Sequence, residues 1–150
     1  MQGDFLPLWK MISNQNFDMV ERVISTQRFK TVFLKPKDLR KQVLKTIVAK
    51  KTDSFANKEA RNKYKGSLII TEEEINERLT FYKKHMEFES RCDFSFFDED
   101  VLKRPEYILE TLGLPNIKSK YKYTPPTFSD EEMLVDVNNF NTLFERLYER

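Results

Sequence analysis

Five cations crowd one short stretch of this sequence: Lys35, Lys37, Arg40, Lys41 and Lys45. They follow an apolar, β-branched and aromatic run, Phe29-Lys30-Thr31-Val32-Phe33-Leu34, and precede an apolar repeat at helical spacing, Leu39, Val43 and Ile47 with Leu44 and Val48. The spacing predicts a strand, a tight turn and a helix. Pro36 has no N–H to give a sheet ladder, so the strand must stop there. Asp38 can cap a helix that runs to about Lys51. A helix start offers unpaired backbone N–H groups and the positive end of the dipole, and lysines beside it suit an anion such as a phosphate. Lys35, Lys37, Arg40 and Lys45 are the candidate ligands. The plainer reading is a solvated basic helix face formed by Arg40, Lys41, Lys45, Lys50 and Lys51.

Other chemistry is thinly represented. His85 is the single histidine, and no second His or Cys stands at ligand spacing. It reads as a surface or boundary residue. Cys92 is the single cysteine, so it has no internal disulfide partner, and it reads as an incidental thiol in a reducing compartment. The run Asp98-Glu99-Asp100 could hold a hard cation. More simply, it places negative charge at the start of the helix that contains Pro105, where the dipole favours it. Lys118-Ser119-Lys120-Tyr121-Lys122-Tyr123 has the charge and the rings to meet nucleic acid. The balanced total charge argues against that, and nucleic acid is not an expected partner. Gly3, Gly66 and Gly113 are the only glycines, so this sequence contains no glycine-rich phosphate loop.

These residues must be positioned by the elements around them. Residues 4–26 read as helical, with a second short helix starting near Asn16 or Asp18. Residues 53–69 are polar, with a helical turn over Asn57–Tyr64 as one option. Thr71 and Glu74 form a capping box for a helix reaching about Arg91, with Ile75, Leu79, Tyr82 and Met86 on one face. Asp93–Phe97 reads as a second short strand. Pro105 opens a helix that closes at Gly113. Residues 116–128 read as a basic, Tyr-rich loop. Ser129 and Glu132 form another capping box, opening a terminal helix whose stripe is Val137, Phe140, Leu143, Phe144 and Leu147. Strands separated by helices predict a helix-rich α/β fold with a small, mostly parallel sheet.

At 150 residues the chain is read as one domain, residues 1–150. Its 26 basic and 24 acidic residues leave a net charge of +2, which favours neither nucleic acid nor a membrane surface. No run approaches the length of a membrane span, and the first residues lack the pattern of a signal peptide. A cytoplasmic location is expected.

Two segments, in this order, resemble the bacterial trehalose-sulfotransferase-like group of the sulfotransferases that use 3′-phosphoadenosine-5′-phosphosulfate. The first is VFLKPKDLRKQVLKTIVAKKT, from Val32 to Thr52. Asp38, Gln42, Ala49 and Thr52 fall where that group has the Asp of a turn closing a strand, a Gln on the following helix and an Ala-x-x-Thr helix end. The second is FSFFDEDVLKRPEYILETLGLP, from Phe94 to Pro115, which is similar to the group's Tyr-Glu-Asp-Leu strand end, Pro-initiated helix and closing Leu-Gly-Leu-Pro.

The resemblance implies an incomplete P-loop-like sulfotransferase scaffold: the C-terminal portion of the fold, lacking the N-terminal phosphosulfate loop. It implies 3′-phosphoadenosine-5′-phosphosulfate or adenosine 3′,5′-bisphosphate as cofactor, its 3′-phosphate held at the turn and helix. The positions of the family's phosphate-holding Arg and Ser carry Pro36 and Lys45 here, so lysine point charges would replace an Arg fork. The family's catalytic acid–base residue lies in the lacking region. The isolated chain is therefore expected to be inactive, and a complementing N-terminal segment is the expected partner. The alternative is a non-enzymatic structural or interaction protein with an assembly partner. Trp9, Tyr121 and Tyr123 would then be contact points. The Lys-, Phe- and Asn-rich composition is that of AT-rich genomes, as many phages have, so this alternative includes a component of a phage particle, located within the virion.

Overall fold

Residues 17–53, 64, 68–114 and 131–149 are described by a computed structural model of the chain. Its elements follow in the order α1 (Phe17–Ser25), β1 (Val32–Lys35), α2 (Leu39–Thr52), α3 (Glu72–Met86), a 3₁₀ turn (Glu89–Arg91), β2 (Phe94–Phe97), α4 (Asp98–Lys103), α5 (Glu106–Thr111), α6 (Glu131–Leu134) and α7 (Val137–Tyr148). Among the described residues the architecture is helix-rich α/β with one small parallel sheet.

The sheet is the pair β1–β2, in the register Val32↔Phe94, Phe33↔Ser95, Leu34↔Phe96 and Lys35↔Phe97. Residues paired across the ladder share a face, and successive residues alternate. One face carries Phe33 and Phe97; the other carries Phe94 and Phe96. The His85 ring of α3 stacks on Phe33, centroids 4.7 Å apart, so α3 covers the first face. Tyr107 of α5 meets Phe96 edge-on at 5.1 Å on the second. Helices on both faces of a parallel pair are what buried parallel strands require.

Three helices build the main core. Val43, Leu44, Ile47 and Val48 of α2, Ile75, Leu79 and Tyr82 of α3, and Phe140, Phe144 and Leu147 of α7 are buried together. Leu68 and Val135 join them through a parallel bridge. Ion pairs lace the rim: Lys51 with Glu74 at 2.7 Å, Lys50 with Glu77 at 3.6 Å, and Arg146 with Glu72. Helix α1 is tied on by Phe17, whose ring meets Phe81 and Phe88.

The caps follow the sequence closely at two places. Asp38 accepts the Lys41 N–H at 3.0 Å and opens α2 at Leu39. Thr71 and Glu74 form the reciprocal capping box of α3. Elsewhere the boundaries differ from expectation. β1 starts at Val32, not Phe29, because the Asp93 carboxylate takes the Thr31 N–H (2.8 Å) and hydroxyl (3.1 Å) before the ladder begins. The same lock delays β2 to Phe94. The helix expected to reach Arg91 ends at Met86, where i→i−3 bonds tighten the chain and turn Phe88 into the interior. Met86 itself is exposed.

Asp98–Asp100 do not open the helix of Pro105; they are the first turn of a separate helix, α4. Arg104, the residue before Pro105, leaves helical geometry (φ −143°, ψ 78°), as a residue before proline is pressed to do. Gly113 closes α5 with φ +70°. The Gly113 N–H donates to the Glu110 carbonyl and the Leu114 N–H to that of Leu109, a Schellman pattern. The expected terminal helix is divided in two. Val135 leaves it to pair with Leu68, and Asp136 caps α7 afresh through the Asn139 N–H. Ser129, and with it the second capping box, lies outside the described residues, as do residues 4–16, most of Asn57–Tyr64, and residues 116–128.

Candidate anion site at the carboxyl end of the strand pair

Because β1 and β2 are parallel, both chains leave the sheet at the same end, and Lys35 and Phe97 finish side by side. In open α/β sheets the carboxyl ends of parallel strands are the usual place for a ligand. Here β1 turns through Pro36 and Lys37 into α2, while β2 runs directly into α4.

Phe97 is the floor of this end, with 38% of its surface exposed. Two ammonium groups lie over its ring, Lys35 Nζ at 5.0 Å and Lys37 Nζ at 5.7 Å from the centroid. Both are also paired. Lys35 donates to Glu89 of the 3₁₀ turn at 2.8 Å. Lys37 meets Asp100 of α4 at 2.6 Å, and that hydrogen bond holds the Lys37 ammonium above its ordinary pKa. Lys45, two turns into α2, is exposed and lies close enough for its charge to act on Asp98. Burial pushes the Asp98 carboxyl up in pKa. The Glu99 N–H, which donates to Asp98 Oδ1 at 2.8 Å, works the other way, as does the charge of Lys45.

The four candidate ligands therefore divide. Lys35, Lys37 and Lys45 surround the end of β2. Arg40 reaches instead toward the other end of the chain, donating to Asn141 of α7 at 2.7 Å and pairing with Glu132 of α6 at 3.5 Å. Its guanidinium ties α2 to α6 and α7. Glu89 pairs with Lys35 and Asp100 with Lys37, while Lys45 acts on Asp98 only through its charge. Sequence reading weighed Asp98–Asp100 as a cation holder or as helix-start charge, and passed over Glu89. Phe97 was also missed. The one signal that could have found it was its place as the last residue of a strand paralleling one that ends in lysine.

The opposite end of the sheet holds a cavity of about 680 Å³, lined by Arg28, Phe29, Lys30 and Arg91 among others. Arg91 is committed to Glu21 and Ser25 of α1, and Asp93 to Thr31. The carboxyl end of α1, where the helix dipole favours cations, opens onto this cavity. Among the described residues no three His, Cys, Asp or Glu gather as a metal site. Cys92 is half-buried, and burial raises its thiol pKa, the reverse of what a nucleophile needs. No described helix is long and apolar enough to cross a membrane. Comparison with family models, with curated proteins and with solved structures finds no match.

Proposed function

We propose that the chain is a sulfotransferase-like domain that keeps the scaffold of a nucleotide 3′-phosphate site and binds adenosine 3′,5′-bisphosphate weakly, without transferring a sulfuryl group. The observation that carries this reading is the Lys35↔Phe97 register. It brings a basic turn, a helix start and an exposed ring to one end of a parallel strand pair. The order strand, turn, helix, helix, strand, Pro-initiated helix follows that of the resembling segments, with the short helix α4 interposed before Pro105.

The groups suit the ligand in kind, with ammoniums for the phosphate. They do not suit it in charge. Glu89 and Asp100 pair with Lys35 and Lys37, and the Asp38 carboxylate already caps the α2 N-terminus. A phosphate gains little where carboxylates hold the cations. Sulfuryl transfer also needs donors preorganised around the leaving phosphate. The three scattered glycines of this sequence build no loop to supply them. The absence of turnover is thus part of the proposal.

Calorimetric titration with adenosine 3′,5′-bisphosphate tests it. Binding in the millimolar range, lost in the double variant Lys37→Ala, Lys45→Ala, is expected. No heat at millimolar ligand, or binding indifferent to both substitutions, would reject it. Incubation with labelled sulfuryl donor should give no transfer.

A second reading, a non-enzymatic assembly component, is favoured by the narrowness of the sheet. Two strands of four residues are few for a sheet standing alone. Phe29 (56%), Leu34 (38%) and Tyr107 (43%) are exposed on or near it. Light scattering after size exclusion separates the two: a self-associated or partner-bound chain that ignores nucleotide supports the second.

A further inference from the structure

We propose that the acidic first turn of α4 is an internal competitor at the basic turn, with Asp100 holding Lys37 in the place an incoming phosphate would take. This rests on the reading of that turn as a 3′-phosphate site and adds how the site is regulated.

The geometry has three parts. The Lys37–Asp100 pair is short, 2.6 Å, yet both side chains remain about two-fifths exposed, 41% and 43%. Such a pair is made and broken at small cost, because water solvates both charges when they part. Next, Lys37 does not depend on Asp100 for its placement alone. Its ammonium also lies over the Phe97 ring, which attracts a cation whether or not the carboxylate is present. Freed of Asp100, the group stays at the end of the strand pair. Finally, the competitor sits on a short helix, Asp98–Lys103, that leaves β2 without a loop. Asp100 is three residues from Phe97, so the ring and the carboxylate that meet the Lys37 ammonium are set by one continuous stretch of backbone. The neighbouring pair Lys35–Glu89 repeats the arrangement at the same ring.

The device predicts that removing the Asp100 charge raises anion affinity through Lys37. Titration of Asp100→Asn with adenosine 3′,5′-bisphosphate should show about fivefold tighter binding than the unaltered chain, the scale of one released surface ion pair. The double variant Asp100→Asn, Lys37→Ala should lose that gain. Equal affinity in Asp100→Asn and the unaltered chain would overturn the competitor while leaving the phosphate site standing. So would a gain that survives in the double variant, since it would report net charge alone. Silence from both the unaltered chain and Asp100→Asn would remove the phosphate site and the competitor with it. Inorganic phosphate, titrated in parallel, should show the same fivefold gain; a gain confined to the nucleotide would sink the idea that Asp100 stands in for the phosphate.

Discussion

His85 stands half-buried between the rings of Phe33 and Phe81, with Nε2 3.4 Å from the Leu34 carbonyl oxygen. Burial depresses its pKa below the ordinary 6.5, and the carbonyl contact only partly opposes this. The unfolded chain therefore binds a proton more readily than the folded one. The stability this residue contributes is fully present above the unfolded value and is lost as pH falls through the folded one. Denaturant unfolding at pH 7.5 and pH 5.5 should show lower stability at the acid value, and His85→Phe should flatten that difference. A slope unchanged in the variant would assign it elsewhere. Asp98 acts with the opposite sign and at lower pH, because burial raises its folded pKa above 3.8 and protonation relieves a buried charge. At this scale the sequence disclosed residue types but few pairings. The cations of α2 were plain to read. That Arg40 would reach Asn141, and Lys37 Asp100, depends on segments brought together only by folding.

Helices were the most legible elements, because their signal is local. The apolar repeat of α2 and the Thr71–Glu74 box each lie within a few residues. Thr71→Ala removes the hydroxyl that accepts the Glu74 N–H, and should cost about 1 kcal/mol in equilibrium unfolding. Gly113→Ala should cost about 1 kcal/mol by a different route. A Cβ there meets nothing within 4 Å, so the penalty is the left-handed backbone alone. Gly113→Asn, which tolerates that conformation better, should cost less, and the same unfolding measurement decides it. Two of the misread boundaries were set by distant residues. Asp93 trims β1 from a position 62 residues away, and Val135 leaves its helix to pair with Leu68. No local pattern carries such information. The charge at Asp98–Asp100 was read correctly as helix-start charge but attached to the wrong helix, since the break at Arg104 was overlooked.

For the whole molecule, the core is one body made by α2, α3 and α7, and Phe140 is its largest fully buried side chain. Phe140→Ala should cost about 3–5 kcal/mol, enough to unfold much of a marginally stable domain, which circular dichroism would register as a large fall in Tm. Such a loss would also bring down any anion binding, so site variants are better placed at Lys37 and Lys45 than in the core. The helix-rich α/β class and the small strand pair were visible from strands alternating with helices; the two-sided helix cover was not, because it depends on which faces meet. The bridge between Leu68 and Val135 has a kinetic consequence. A chain emerging from the ribosome completes α2 and α3 long before Val135, Phe140 and Phe144 exist. Until then Leu44, Ile75 and Leu79 have an open apolar flank. Native docking must wait on a non-local contact, which slows folding, and the waiting surface is one that chaperones and aggregation compete for.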